Sequence, residues 1–489
     1  MAKVIMLQGT MSNVGKSFLT AGLCRIFMQD GYSAVPFKSQ NMALNSYITE
    51  DGSEIGRAQA MQAESAGLKP SVLMNPILLK PTTDVGSQVI VNGRVMGNMT
   101  ASEYFRYRKN LIPEIMTAYQ KLASQHDIIV IEGAGSPAEL NLNRDDIVNM
   151  GLAKLVKSPV LLIGDIDRGG IFAQLLGTLN LLEAEEQAFV KGMIVNQFRG
   201  DKALFSDGVR ILEEKSGLPV LGVVPYTNID IEEEDSLSHK LNQESAPNLI
   251  DIAVIHLPRI SNFTDFDVFS QYKGVSVRYV RKSTELGIPD LIILPGTKST
   301  ISDMRWMRES GIETAIKKCV SEGVPLFGIC GGYQMLGEAV SDPESLENGG
   351  TIAGMSLLSG KTVFTGEKQQ IQVSGNFSQI SGFWNFLSGA EFSGYEIHLG
   401  RTSQPESALT SCGGAYAGTV AGCYVHGIFD SADVSGRIIK ELYLRKGVVY
   451  HGQVTDRRIY KQQQFNLLAD TIRRSLDMNQ IYRILQEGL

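Results

Sequence analysis

Cysteine is scarce in this chain. There are five, an odd number at wide and irregular spacing, and they read as reduced thiols rather than as a disulfide framework or a zinc site. Positive charge is not in excess either. Lys and Arg number 45 against 52 Asp and Glu, a net charge of −7, which gives no support for nucleic-acid binding or for a basic membrane-facing surface. Long apolar runs are missing, and none approaches the roughly 20 residues that a membrane helix needs. The first residues, Met1 to Leu7, enter a strand pattern at once and leave no room for a signal peptide. The expectation is a cytoplasmic protein with no nucleic acid, no membrane, and an open oligomeric state. No internal repeat at a fixed period is visible.

What is present is enough for two globular domains. The chain has 489 residues, too many for one ordinary core, with 43% hydrophobic and 20% charged residues. Apolar strand patterns alternate with helix patterns, and each strand ends in polar residues, which predicts an α/β doubly wound parallel sheet. Residues 1–232 form one such domain and 251–489 another. The polar, aperiodic stretch 233–250 reads as a linker, and Glu232 to Asp235 as a solvated charge run. The C-terminal segment 456–489 has helical spacing (Phe465, Leu468, Ile472, Leu476) and is expected to pack on the second domain.

Near the start, a short apolar strand runs into Gln8-Gly9-Thr10-Met11-Ser12-Asn13-Val14-Gly15-Lys16-Ser17, followed by a helix pattern. This predicts a phosphate-binding loop. Backbone N–H groups and the helix N-terminus cradle phosphates, Lys16 reaches the outer ones, and the Ser17 hydroxyl holds Mg²⁺. Five residues rather than four separate Gly9 from Gly15, a departure from the strict pattern. Lys38 follows the second strand, where strand ends face the ligand crevice, and is a candidate for phosphate or substrate carboxylate. Lys80, in Asn75-Pro-Ile-Leu-Leu-Lys80, is a second candidate, with a structural lysine as the alternative. Asp127-Ile-Ile-Val-Ile-Glu132 is a buried strand ending in a carboxylate suited to Mg²⁺, the alternative being a turn cap. Asp165 and Asp167 end the next strand and suit Mg²⁺ or general-base work, although Asp167 also fits a helix cap.

The second half centres on Val324-Pro-Leu-Phe-Gly-Ile-Cys330-Gly-Gly-Tyr-Gln334. A cysteine on a sharp strand-to-helix turn is exposed to substrate and sits near the positive end of a helix, which favours the thiolate. Cys330 is the expected nucleophile. His426, at a strand end before a glycine, is the expected base, and His398 a residue lining or orienting the site. The Leu294-Pro-Gly296-Thr297 turn and Gly331 are the expected oxyanion donors.

These motifs carry a resemblance. Gly9-Thr-x-Ser-x-Val-Gly-Lys-Ser resembles the variant loop of the dethiobiotin synthetase-like ATPases, and Asn196 resembles the adenine-contacting Asn of that group. Leu294-Pro-Gly-Thr, Gly328-Ile-Cys-Gly-Gly-Tyr-Gln and Tyr424-Val-His-Gly-Ile-Phe resemble class I, triad-type glutamine amidotransferases. There the acid lies two residues after the histidine, a position held here by Ile428. Either another acid, with Glu396 a candidate, orients His426, or the site works as a dyad. Phe37-Lys-Ser-Gln-Asn-Met-Ala-Leu-Asn-Ser46, Met74-Asn-Pro-Ile-Leu-Leu-Lys-Pro81 and Asp165-Ile-Asp-Arg-Gly-Gly-Ile-Phe172 are similar to the corrinoid amide synthetases of cobalamin biosynthesis. That resemblance implies amidation of the b, d, e and g carboxylates of adenosylcobyrinic acid a,c-diamide, with ATP, Mg²⁺ and glutamine. It also implies a sheltered route for ammonia between the sites. The alternatives are the related a,c-diamide synthesis and a partitioning or regulatory ATPase with an inactive glutaminase domain.

Overall fold

The computed structural model describes residues 2–82, 86–142, 145–232, 248–347, 349–403, 407–452 and 456–489. Most of the expected linker, 233–247, lies outside the described residues. The chain divides into two compact units. One is built from Met1–Met42, Ile55–Ile231 and Lys461–Leu489, the other from Ala43–Glu54 and Glu232–Tyr460.

In the first unit the apolar runs pair as a parallel sheet. Its order is Val220–Pro225, Val190–Phe198, Val160–Asp165, Lys3–Gly9, Ile128–Glu132, Ala34–Phe37. Strands covered on both faces read as unbroken apolar runs because alternate side chains both need burial. Here Met6, Ile129, Ile131 and Leu162 enter one core, while Ile5, Leu7, Val130 and Leu161 enter the other. From Lys3–Gly9 the chain passes to the edge strand Ala34–Phe37, returns to Ile128–Glu132 beside Lys3–Gly9, then crosses to Val160–Asp165 on its other side. The carboxyl end of that strand is therefore a switch point, where sheets of this kind take ligands. A smaller sheet of Gln40–Met42, Ile77–Pro81, Gly86–Val91 and Arg94–Thr100 also belongs to this unit.

The C-terminal segment departs from expectation. Its helices, Arg457–Ser475 and Met478–Glu487, join the first unit from Lys461 onward rather than the second. Phe465, Leu468, Ile472, Leu476, Ile481 and Leu485 close the core over Ile5 and Leu7, each contributing about 1.5–3 kcal/mol by burial. Gly22 permits the approach, since a Cβ there would stand 2.0 Å from Ile472 Cδ1. Arg473 forks onto Asp30 at 3.0 and 2.9 Å. The apolar stripe predicted a helix but carried no label for the sheet it covers.

The second unit holds a larger sheet in the order Val275–Val280, Ile250–Ile255, Leu291–Leu294, Leu326–Ile329, Val420–Cys423, Gly413–Ala417, Ala408–Thr410. The strands from Val275–Val280 to Val420–Cys423 run parallel, and the last two are antiparallel. Phe327 packs edge-on to Trp384 and Phe429 beneath it, at 5.5 and 5.1 Å. Another sheet joins Gly350–Ala353, Ala339–Asp342, Lys361–Asn376 and Glu391–Thr402. The short stretch Ala43–Glu54 belongs to this unit too, not to the first domain as its position in the chain suggested. Ile48 packs on Tyr395 and Ile397, and the buried Glu54 carboxylate accepts from Lys368 at 2.5 Å and Gln370 at 3.0 Å.

Candidate active sites

Cys330 stands where the central strand Leu326–Ile329 turns into the short helix Gly331–Leu336. Its backbone has φ 49° and ψ −108°. A positive φ at a non-glycine residue costs on the order of 1–3 kcal/mol and persists only when its surroundings enforce it. They do so here through glycine. A Cβ on Gly332 would lie 2.0 Å from the Leu294 carbonyl oxygen, and one on Gly328 would lie 2.9 Å from the Gly332 carbonyl carbon. The turn is thus pressed against the end of the neighbouring strand, with the Cys330 Sγ 3.6 Å from the Ile397 carbonyl oxygen.

His426 follows the adjacent strand Val420–Cys423 and is buried. Its Nδ1 lies 2.7 Å from Asp265 Oδ2, and the Gly427 N–H donates to Asp265 Oδ1 at 3.1 Å. With Nδ1 taken, Nε2 is the nitrogen left for the thiol. Burial works against the imidazolium, but the Asp265 carboxylate, with a contribution from Cys330, outweighs it and pushes the His426 pKa up to about 10. His426 is therefore protonated at neutral pH, as a partner for a thiolate requires.

Gly296 and Thr297 meet the same point. A Cβ on Gly296 would lie 2.9 Å from His426 Cε1, and one on Gly331 would lie 2.7 Å from Thr297 Cγ2 and 3.0 Å from the Thr297 nitrogen. Among the described residues neither the Thr297 N–H nor the Gly331 N–H donates to a backbone carbonyl. Two close amides without such acceptors suit a developing oxyanion. Cys330, His426, Gly296, Thr297 and Gly331, predicted from separate motifs, are thus brought together.

Two expectations change. Glu396 does not orient His426; it lies 3.4 Å from His398 Nε2. His398 stacks on Tyr424 with centroids 3.8 Å apart, and its Nδ1 lies 2.7 Å from the Gly400 carbonyl oxygen. The acid on His426 is Asp265, which sequence reasoning missed. It lies on the 3₁₀ stretch Phe263–Gln271, far from the histidine in sequence, so no motif spacing connects them. The available signal was an aspartate pair, Asp265 and Asp267, inside an aromatic-rich run, and both are buried. Ile428, in the position where the family carries its acid, is fully buried in the core.

The first unit gathers a second set of groups. The Lys16 ammonium donates to the Met11 carbonyl at 2.9 Å and to the Gly135 carbonyl at 3.1 Å. Ser17 Oγ and Lys38 Nζ both reach Glu132 Oε1 at 2.9 Å, and Gln62 Nε2 reaches Glu132 Oε2 at 2.6 Å. Burial would raise the Glu132 pKa, but Lys38, Gln62 and Lys16 overcome it and hold the carboxyl below its ordinary value. Glu132 is therefore charged. Gly9 is favoured by close approach, because a Cβ would stand 2.5 Å from Val14 Cγ2 and 3.0 Å from the Met11 carbonyl oxygen. Gly15 has φ 92°, and a Cβ would stand 2.1 Å from Asn196 Nδ2.

Asn196 donates to the Val14 carbonyl at 2.8 Å, so its amide supports the loop from beneath. Ser12 and Asn13 are exposed at the loop tip, and Thr10 Oγ1 donates to Gln174 at 3.2 Å. Asp165 ends the strand beside Lys3–Gly9, and its backbone shares Gln174 with Thr10 of the loop. Asp165 pairs with Arg168 at 3.2 Å and Asp167 with Arg199 at 2.7 Å. Lys80 lies on the smaller sheet, opposite Gln88. Among the described residues no group of three or more His, Cys, Asp or Glu forms a metal cluster. Ser17 and Glu132 are the adjoining oxygen donors that fit a hard cation.

Residues 5–238 match a family model described as the CobQ/CobB/MinD/ParA nucleotide binding domain, and residues 251–434 match the CobB/CobQ-like glutamine amidotransferase domain. A cobyric acid synthase from Lachnoclostridium phytofermentans is 55% identical over 517 residues, covering 100% of both chains. The one from Ruminiclostridium cellulolyticum is 54% identical over 504 residues, covering 100% of this chain and 98% of its own. The chain belongs to the cobyric acid synthase family. A more distant cobyric acid synthase, from Streptococcus sanguinis, is 48% identical and covers 99% of each chain. The two sites described above thus lie in the two halves for which family models exist, and the family is matched over its full length.

Proposed function

We propose that this chain is a glutamine-dependent ligase of cobalamin biosynthesis. It amidates the b, d, e and g carboxylates of adenosylcobyrinic acid a,c-diamide with glutamine and ATP, in the cytoplasm. The observation that carries this reading is the presence in one chain of a Cys330–His426–Asp265 centre and a phosphate loop beside Glu132 and Lys38. The first releases ammonia, and the second activates the carboxylate that ammonia attacks.

In the second unit the Cys330 sulfur attacks the glutamine amide carbon, with the Thr297 and Gly331 N–H groups donating to the oxyanion. His426 gives a proton to the departing ammonia and recovers one from the water that hydrolyses the thioester to glutamate. Asp265 keeps the imidazole ring in place through both transfers. In the first unit the substrate carboxylate attacks the γ-phosphorus of ATP, giving an acyl phosphate and ADP. Lys16 and the loop amides offset the charge on the phosphoryl oxygens. Ammonia then attacks the acyl carbon and phosphate leaves. Ser17 and Glu132 are the residues that would hold Mg²⁺, which supplies further charge neutralisation on the phosphates.

The test is mass spectrometry of the corrinoid a,c-diamide incubated with the protein, ATP, Mg²⁺ and glutamine. Four successive one-amide mass steps are expected. Turnover of cobyrinic acid by two steps, with none on the diamide, would sink the reading in favour of the earlier a,c-diamide synthesis.

A further inference from the structure

The ring of contacts around His426 does not close within the 251–434 glutaminase region. Tyr395 is bound to His426 twice through the backbone: its N–H donates to the His426 carbonyl at 3.1 Å and its carbonyl accepts from the His426 N–H at 2.9 Å. Gly394 allows this, since a Cβ there would stand 2.2 Å from the His426 carbonyl oxygen. The Tyr395 ring also stacks on the imidazole, with centroids 5.4 Å apart and planes 22° apart. Its hydroxyl then reaches away from the site. It donates to the Ser46 carbonyl at 3.0 Å and accepts from Asn262 Nδ2 at 2.9 Å.

Asn262 has φ 54°, a left-handed backbone, and its carbonyl accepts from the Asp265 N–H at 3.1 Å. It starts the 3₁₀ turn that aims Asp265 at His426. Both its backbone and its side chain are held by residues from near the start of the chain. The Asn262 N–H donates to Asn45 Oδ1 at 2.6 Å, and Asn262 Oδ1 accepts from the Ser46 N–H at 3.2 Å. Asn45, Ser46, Asn262, Tyr395, Asp265 and His426 are all buried, so these bonds form without competition from water.

We propose that Asn45 and Ser46 are positioning residues of the ammonia-releasing centre, acting through Asn262 and Tyr395 on Asp265 and His426. A segment encoded within the 5–238 span of the nucleotide-binding family model thereby completes a site of the second unit, to which the segment itself belongs. The segment begins five residues after Lys38, the residue that pairs with Glu132. Neither Asn45 nor Ser46 touches glutamine in this scheme; they fix the orientation of the groups that do.

The inference rests on the glutaminase reading of Cys330 and His426, so the experiment separates the two. Glutamate release is measured under steady state for the full chain with ATP and the corrinoid diamide present, in the parent and in Cys330→Ala, Asn45→Ala, Asn45→Asp, Tyr395→Phe and the Asn45→Ala/Tyr395→Phe double variant. Ammonia-dependent amidation is measured alongside. Retained glutamate release in Cys330→Ala would overturn the glutaminase reading itself. With that control silent, Asn45→Ala and Tyr395→Phe are each expected to lower kcat about tenfold, with KM for glutamine within about threefold. Asn45→Asp keeps the acceptor for the Asn262 N–H but sets a carboxylate among buried groups, so its kcat is also expected to fall below the parent's. The double variant is expected to lose no more than the worse single one, because both act through one clamp. An unchanged kcat in Asn45→Ala, a loss confined to KM, additive losses in the double variant, or equal loss of ammonia-dependent activity would each overturn the inference.

Discussion

Asp265 Oδ2 lies 2.7 Å from His426 Nδ1, so the cysteine–histidine pair has a carboxylate although Ile428 occupies the position where the family's acid is usual. The same carboxylate binds the Gly427 N–H through its other oxygen at 3.1 Å, which fixes the acid to both the ring and the backbone of the histidine turn. Asp265→Asn keeps the shape and removes the charge that favours the imidazolium. Glutaminase kcat is expected to fall by on the order of 10²–10⁴, while amidation from added ammonia persists. Glutamate release at the parent rate would mean that the centre works as a dyad.

The same pair predicts how stability varies with pH. The His426 pKa rises from an ordinary 6.5 to about 10 on folding. A group with a raised folded pKa stabilises fully below its unfolded value and loses that contribution as pH rises through the folded one. The parent protein should therefore lose part of its stability between pH 6.5 and 10. Asp265→Asn removes the main cause of the rise and should lose less over that range. Melting temperatures of both proteins across those pH values check this; parallel curves would show that the charge interaction is not there.

Gly331 illustrates a glycine required by approach rather than by backbone angle. Gly331→Ala sets a methyl 2.7 Å from Thr297 Cγ2 and 3.0 Å from the Thr297 nitrogen, between the two candidate donors. The expected result is a fall in glutaminase kcat of about 10²–10³, the range seen when one oxyanion donor is lost. Thiol alkylation of Cys330 should continue, since the nucleophile and its base are untouched. A small kcat effect with a large KM effect would assign these amides to binding instead.

Much of this was legible in the chain before any coordinates. Gly-Lys-Ser after a strand, and Cys330 between apolar residues and two glycines, are local patterns whose chemistry depends on a few consecutive positions. The parallel sheets follow from apolar runs that need cover on both faces. What escaped was long-range. Asp265 meets His426 across an interval with no fixed spacing, and an acid in an aromatic run carries no sign of which histidine it serves. Phe465, Leu468 and Ile472 announced an amphipathic helix, but a stripe does not say whether it covers the near sheet or the far one. The excursion of Ala43–Glu54 into the second unit had no compositional mark, because its anchors are ordinary buried polar groups. Asp165 and Asp167, expected as carboxylates at a strand end, pair with Arg168 and Arg199, partners that no strand-end pattern specifies.

Glu132 is where the phosphate site is most exposed to a single change. Its carboxylate is shared by Ser17, Lys38 and Gln62 within 2.9 Å, and these partners keep it charged despite burial. Glu132→Gln preserves size but removes the charge that balances Lys38 and that a cation beside Ser17 requires. Amidation should fall by at least about 10² with glutamine and with ammonia alike, because carboxylate activation precedes both. Glutamate release from glutamine alone should remain at the parent's level, since Cys330, His426 and Asp265 belong to the other unit. Retained ammonia-dependent amidation in Glu132→Gln would remove Glu132 from the activation step and would leave Lys16 and Lys38 as the only charged groups assigned to it.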